Sequence, residues 1–249
     1  MIPYDQIETI LLDVGNTLIS IDFDWIAAEL CARGFACDGA ALRRAEAASR
    51  PGYSRLLFVD GVEPGTDLFR TYLTTIFERL DVTSQLPSSA RRDLVTELRP
   101  IFRPDGRASV LWRSVMPQVP EALAVMRDRG LRLVVVSNSD GTAERSLEAA
   151  GLRPYLNLVI DSAIVGYEKP DPRIFEHALR ASGSRPERTL HVGDLYHADV
   201  TGARAAGIHA LLLDPYGDWL EIDCDRAPDL WTVAERFAVS GADTPDRTT

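Results

Sequence analysis

Glu8-Thr-Ile-Leu-Leu-Asp-Val-Gly-Asn-Thr-Leu18 is the stretch on which the reading of the fold turns. Its apolar run, Glu8–Val14, has the length of a strand and carries an aspartate near its end, followed by Val-Gly-Asn-Thr-Leu at 14–18. Runs of the same kind recur as Leu131–Asn138 (Leu-Arg-Leu-Val-Val-Val-Ser-Asn), a weaker Leu156–Ile164, Thr189–Asp194 and His209–Asp214. Near-continuous apolar runs this short suit strands buried on both faces of a parallel sheet. Helical patterns lie between them: Val119–Arg129, Thr142–Ala150, Pro172–Ala181 and Asp199–Ala206. Gly130, Gly151 and Gly207 close three of these, where a residue just past a helix end favours glycine. The alternation predicts an α/β fold with a Rossmann-like, doubly wound parallel sheet.

One segment breaks the alternation. From Ile21 to Trp112 no strand is legible, only helical periodicity, as in Trp25–Cys31, Gly39–Ala48, Asp67–Leu80 and Ser89–Leu98. The expected organisation is an α/β core of residues 1–20 and 113–239 with an all-helical cap subdomain, 21–112, inserted after the first strand. Trp25, Phe69, Tyr72, Phe77 and Trp112 are expected to form the core of that cap. The polar stretch 240–249 is expected to be a disordered tail.

Composition bounds the function. A chain of 249 residues with 45% hydrophobic content can bury a sizeable core. A net charge of −10 argues against nucleic acid or an anionic membrane as the main partner. An anionic substrate would then need local help from a metal, a lysine or backbone N–H groups. Cys31, Cys37 and Cys224 have no metal-ligand spacing and suggest reduced thiols rather than a disulfide framework. No basic, apolar leader and no membrane-length apolar run is read, so a soluble cytoplasmic protein is expected, as monomer or homodimer. Of the 27 basic residues only Lys169 is a lysine. A chain that uses arginine everywhere else keeps a lysine where a compact ammonium must meet an anion in a tight site.

Lys169 shares its setting with four strand ends. Ligands bind an open parallel sheet beyond the carboxyl ends of its strands, near the switch in strand order. The first run ends at Asp13, the second at Ser137-Asn138, Lys169 follows the third, and the fourth ends at Gly193-Asp194 with Asp199 five residues on. A carboxylate, a hydroxyl, an ammonium and an acidic pair on one edge suit a divalent cation and a phosphoryl group. All-oxygen ligands favour Mg²⁺ over zinc.

These motifs together resemble the haloacid dehalogenase superfamily, the aspartate-nucleophile phosphohydrolases, in the subgroup with a helical cap. Asp13–Leu18 is similar to the first motif, Val135–Asn138 to the second, Glu168–Pro172 to the third and Val192–Asp199 to the fourth. The resemblance implies that Asp13 is the nucleophile and forms an aspartyl-phosphate on a small phosphorylated metabolite. It implies that Ser137, Asn138 and Lys169 bind the phosphoryl oxygens. It implies Mg²⁺ held by Asp13, the Gly15 carbonyl and Asp194, with Asp199 in or just behind the ligand set.

One position departs from the pattern. The family's second aspartate, a general acid two residues after the nucleophile, is Gly15 here. Loss of such an acid typically costs about 10²–10⁴ in rate. Three readings follow: a phosphohydrolase for good leaving groups (acyl, aryl or anhydride phosphates) or one that borrows an acid from the cap or substrate, a low-turnover binding or regulatory protein, or a metal-independent 2-haloacid dehalogenase. The stretch Ser49–Arg55 reads as a surface loop, Tyr196 and His197 as pocket neighbours with His197 a surrogate acid, and His191 as a satisfied core histidine.

Overall fold

The structure, a computed structural model, describes residues 1–105, 107–220 and 222–240. In chain order its strands are β1 (Thr9–Leu12), β2 (Ile19–Ile21), β3 (Trp112–Val115), β4 (Arg132–Ser137), β5 (Leu158–Asp161), β6 (Thr189–Gly193), β7 (His209–Leu213) and β8 (Asp225–Ala227). The helices between β2 and β3 are α1 (Phe23–Cys31), α2 (Gly39–Arg55), α3 (Leu68–Arg79), α4 (Asp81–Ser84) and α5 (Ser88–Phe102). After β3 come α6 (Val119–Asp128), α7 (Ala143–Ala149), α8 (Ser162–Val165), α9 (Pro172–Ser182), α10 (Thr201–Ala205) and α11 (Leu230–Ser240).

Six strands form one sheet in the order β5-β4-β1-β6-β7-β8, every neighbouring pair parallel. The chain winds outward from β1 through β4 and β5, then crosses back to β6 and winds out the other way. The switch in direction lies at β1, between β4 and β6. Alternation along the strands explains their unbroken hydrophobicity. Ile10 and Leu12, with Leu133, Val135, Leu190 and Val192, pack under α6 and α11 through Leu123, Met126 and Val233. Leu11, Val134, Val136 and Leu212 face the other way, against Ile174, Phe175, Val200 and Ala203. Both faces are covered, so both parities must be apolar. The three helix-closing glycines have φ of 77°, 70° and 75° at Gly130, Gly151 and Gly207. They are the left-handed residues expected just past helix ends.

The insert has a hydrophobic core of its own, built from Ile26, Leu30, Leu42, Leu73, Ile76, Phe77, Val95, Leu98 and Phe102. Phe69, Tyr72 and Phe77 are buried in that cluster, while Trp25 and Trp112 pack against it partly buried. Three of its helices, α1, α2 and α3, start where a side chain satisfies a first-turn donor. Asp22, Asp38 and Asp67 accept from the backbone N–H of Trp25 (2.9 Å), Ala41 (2.8 Å) and Arg70 (3.1 Å). Each such cap contributes about 1 kcal/mol. Among the described residues no strand lies between β2 and β3, and no helix is long and apolar enough to cross a membrane.

Several local expectations change. Ile21 and Trp112 are paired strand residues, because β2 and β3 form an antiparallel ribbon at the root of the insert. Ser49–Arg55 is no loop: α2 continues through Pro51 to Arg55. Proline costs the helix one N–H there, and a buried ion pair between Glu46 and Arg50, one turn apart, lies in the turn just before it. The run expected to extend to Ile164 stops as a strand at Asp161 and turns into α8. Asp199 sits in a π-helical turn, Tyr196–Val200, ahead of α10. Ser240, expected in the tail, is the last residue of α11, and 241–249 lie outside the described residues.

Candidate active site

Register brings the four motifs to one level. Leu12 pairs with Val135 in β4 and with Val192 in β6. Asp13, Ser137 and Asp194 therefore emerge side by side, within two residues of that rung. The Asp13 N–H still donates to the Val192 carbonyl (3.0 Å), so the strand pairing itself holds the residue's backbone. Lys169 arrives from the segment between α8 and α9. The Asn138 side chain clamps it: Nδ2 donates to the Lys169 carbonyl (2.8 Å) and Oδ1 accepts from the Lys169 N–H (2.7 Å). Expected as a phosphate ligand, the Asn138 amide is used at both ends to place the lysine.

The lysine ammonium donates to Asp13 Oδ1 and to Asp199 Oδ1, both at 2.6 Å. Asp199 Oδ1 also lies 2.9 Å from His191 Nε2, and Asp199 Oδ2 accepts from the Leu195 N–H at 2.9 Å. Both oxygens of Asp199 are thus engaged by protein groups, so it reads as the residue that positions Lys169. His191 is buried as expected but is tied to the site, with its Nδ1 lacking a hydrogen-bond partner. Gly193 makes this possible. A Cβ there would come within 2.2 Å of the Asp199 carboxyl, so only glycine lets that side chain fold back under β6.

Sequence reasoning missed the second half of the charged cluster. Asn16 adopts a left-handed φ of 50°, a conformation asparagine tolerates. From there its Nδ2 donates to Asp194 Oδ2 (3.1 Å) and to Glu46 Oε1 (3.0 Å). Glu46 also accepts from the Tyr72 hydroxyl (2.9 Å) and from Arg50 Nη2 (2.6 Å), and Arg50 Nε lies 3.4 Å from Asp194 Oδ2. The helical insert therefore sends a buried ion pair into the site of the α/β core. The only signal in the sequence was a Glu and an Arg four apart on one helix.

Four carboxylates, Asp13, Glu46, Asp194 and Asp199, stand against two cations, Arg50 and Lys169, all of them buried. The excess is two negative charges. Burial, outweighing Lys169, raises the Asp13 pKa above the ordinary carboxylate value. Burial likewise raises Asp194, with Asp13, Asp199 and Glu46 adding to it against Arg50. For Lys169 burial acts the other way, but Asp13 and Asp199 outweigh it and hold the ammonium charged. Burial opposes ionisation of Asp199 too, and Lys169 and His191 overcome it to hold its pKa low. Asp13, Asp194 and Asp199 each offer a carboxylate oxygen within 4.8 Å of the others. An all-oxygen donor set with two surplus negative charges fits a hard divalent cation.

The site opens into a cavity of about 570 Å³ that reaches from Asp13 and Ser137 to Tyr53, Tyr72 and Trp112. At Gly15 a Cβ would lie 3.8 Å from Asp13 Oδ2 and 3.2 Å from the Trp112 ring, so that ring fills the room where a side chain would stand. Tyr196 and His197 fall elsewhere. The Tyr196 hydroxyl donates to Asp223 (2.6 Å), and His197 Nδ1 lies 2.9 Å from Ser54 Oγ, neither lining the cavity. Burial and Arg55 depress the His197 pKa, and its place outside the cavity, against Ser54, leaves it without a path to a leaving group there.

Residues 7–207 match the family model of haloacid dehalogenase-like hydrolases. The human haloacid dehalogenase-like hydrolase domain-containing protein 3 is 30% identical over 218 residues, 84% of this chain and 82% of the human protein. A phosphoserine phosphatase of Thermus thermophilus is 38% identical over 138 residues, 55% of this chain and 52% of that enzyme. The magnesium-bound HAD-hydrolase YfnB of Bacillus subtilis shares the fold, with a TM-score of 0.59 at 16% identity over 93% of this chain and 99% of that one. The four motifs stand at one sheet edge in family order, and the family match spans residues 7–207 of 249: this chain belongs to the haloacid dehalogenase-like hydrolases.

Proposed function

We propose that the protein is a Mg²⁺-dependent phosphohydrolase that transfers a phosphoryl group through Asp13 and favours leaving groups that depart without a proton. One observation carries this reading: Asp13 is hydrogen-bonded at 2.6 Å to the chain's single lysine, with Asp194 beside it at the edge where the sheet changes direction. The relatives that are named as phosphatases, for phosphoserine and for phosphoglycolate, support the same class.

Asp13, Asp194 and the Gly15 carbonyl would hold the ion, which when bound offsets the charge of the incoming phosphate dianion. Lys169 occupies Asp13 Oδ1 and leaves Oδ2, on the Gly15 side, to attack phosphorus. The P–O bond to the leaving group breaks as the Asp13–phosphoryl bond forms. Ser137, buried at the end of β4, lines the cavity where phosphoryl oxygens would lie, and the Lys169 ammonium offsets the charge that develops there. Asp199 and Asn138 keep that ammonium in place. Nothing at Gly15 can give a proton to the departing oxygen, and the Trp112 ring stands close against that position. Water then cleaves the aspartyl-phosphate, a mixed anhydride, and frees Asp13.

The test is release of phosphate from 4-nitrophenyl phosphate by the purified chain, with and without Mg²⁺, for the native protein and Asp13→Asn. Metal-stimulated turnover that falls by about 10³ or more in the variant is expected. Turnover that survives in Asp13→Asn would overturn the mechanism. No metal-stimulated release from either protein would leave a phosphate-binding module of the same fold.

A further inference from the structure

We propose that the substrate is a small aryl phosphate, a phosphomonoester of a phenolic ring that stacks on a row of aromatic side chains leading out from Gly15. The proposal rests on the phosphohydrolase reading and adds to it the class of leaving group. The row starts where the leaving group would emerge. Trp112 lies against Gly15, Tyr72 stacks on Trp112 with ring centres 5.8 Å apart and planes at 20°, and Tyr53 follows at 5.2 Å. All three rings line the same cavity as Asp13.

The same cavity has further apolar lining. Leu57 and Phe58, in the π-helical turn that follows α2, line the cavity together with Leu68 at the start of α3. These residues belong to none of the three hydrophobic cores, and Leu68 is 44% exposed. Apolar side chains that face a concave space without serving a core mark a place where a ligand completes the packing. The cavity, about 570 Å³, falls within the range of whole small-molecule sites, so it has room for far more than a phosphoryl group.

Chemistry narrows the occupant. A phenol has a pKa of about 10, so phenolate leaves without help from an acid, whereas an alkoxide needs a proton as it departs. The same glycine that removes the acid makes room for the Trp112 ring, so one position accounts for both the leaving-group preference and the flat surface that receives it. Offset stacking between aromatic rings is worth more than the same apolar contact with an alkyl chain. Tyr53 and Tyr72 keep their protons, because burial raises both pKa values, Tyr53 to about 12, and they face the ring as neutral surfaces.

The experiment compares kcat/KM of the purified 249-residue chain with Mg²⁺ for acetyl, phenyl, 1-naphthyl and hexyl phosphate. Phenyl and 1-naphthyl phosphates have leaving groups of similar basicity, so a difference between them reports the subsite. A KM lower by about tenfold for 1-naphthyl phosphate is expected, with hexyl phosphate slower than either by about 10² or more. Phe58→Ala and Leu57→Ser, both at partly exposed positions, should each lower the ratio of 1-naphthyl to acetyl phosphate turnover, by about tenfold for Phe58→Ala. Equal KM for phenyl and 1-naphthyl phosphate, hexyl phosphate as fast as the aryl esters, or a ratio that moves in neither folded variant would overturn the proposal. Turnover of acetyl phosphate with no aromatic preference would overturn the subsite alone. No turnover of any of the four would overturn the phosphohydrolase reading beneath it.

Discussion

The two walls of the cavity are built on different principles. On the sheet side, Asp13, Ser137, Lys169, Asp194 and Asp199 are 8%, 5%, 2%, 4% and 1% exposed; strand register sets Asp13, Ser137 and Asp194, and buried hydrogen bonds hold Lys169 and Asp199 against them. On the insert side, Leu57, Phe58 and Leu68 are only partly covered and hang from a helix end and the turn after it. The first wall cannot shift without breaking a parallel sheet packed on both faces. The second rests on a smaller, separate hydrophobic core and can change its side chains without disturbing the first. The contrast separates chemistry from choice of substrate: charge is held by strand pairing and buried hydrogen bonds, and selection is left to partly covered side chains. One device joins them, the Glu46–Arg50 pair, which leaves the insert to meet Asn16 and Asp194. The Arg44–Asp218 ion pair (2.7 Å) adds a second link nearer the surface.

If the charged wall depends on geometry rather than charge alone, Lys169→Arg should show a large effect, second only to loss of the Asp13 carboxylate. The ammonium fits between two carboxylates at 2.6 Å in a space that is 2% exposed. A guanidinium keeps the charge but not the size or the donor directions. Turnover of 4-nitrophenyl phosphate should fall by about 10²–10³ in a variant whose thermal melt confirms that it folds. Activity close to the native value would mean that the rigid wall tolerates a change of shape, and the contrast with the insert would fail.

Gly15 lies where the walls meet, and Gly15→Asp with Trp112→Ala probes the seam. The backbone poses no obstacle, since Gly15 is not among the residues with positive φ. The obstacle is Trp112, whose ring would stand 3.2 Å from the new Cβ. Gly15→Asp alone should therefore help alkyl phosphates little. With Trp112→Ala added, the new carboxyl has room, and the ratio of hexyl to phenyl phosphate turnover should rise by about 10–10². KM for the aryl ester should rise as part of its surface is lost. A full gain from Gly15→Asp alone would show that Trp112 yields easily and that the seam is loose.

These distances also explain what could be read from the sequence and what could not. Asp13, Ser137, Lys169 and Asp194 were legible because each interrupts or follows an apolar run, and a parallel sheet puts such breaks at one edge. The fold was legible for the same reason. Glu46 and Arg50 were not, because their task depends on Asp194, which only the folded chain brings within 3.4 Å. Ser49–Arg55 read as a loop, yet α2 runs on through Pro51 to Arg55, with the buried Glu46–Arg50 pair in the turn just before the proline. Trp112 read correctly as packing against the insert core, yet its edge against Gly15 is a contact between residues 97 apart in sequence, 15 and 112. His191 read as a core residue since an isolated histidine in an apolar strand gives no hint of the Asp199 carboxylate behind it. What escapes a single sequence here is long-range polar pairing, while periodicity and strand-end chemistry do not escape it.

The smallest predicted effect tests whether the insert can be weakened without touching the chemistry. Asp67 caps α3: one oxygen accepts from the Arg70 N–H at 3.1 Å, the other from Arg99 Nε at 3.0 Å. Burial raises the Asp67 pKa, but these hydrogen bonds outweigh it and the value ends below the ordinary 3.8. The pair is partly exposed, so the helix cap dominates, and Asp67→Ala should lower stability by about 1 kcal/mol. Because the folded pKa is depressed, that stabilisation is complete above the unfolded value of 3.8 and is lost as pH falls through the folded one. The difference between native and variant melts should therefore hold steady near neutral pH and shrink in acid. A gap that stays constant in acid would mean that the neutral carboxyl caps as well as the charged one. Acetyl phosphate turnover, which asks nothing of the aromatic row, should be unaffected at temperatures where both proteins are folded. A loss of that turnover in step with stability would show that the insert's packing reaches the charged wall, and the two sides of the cavity would then be one cooperative unit.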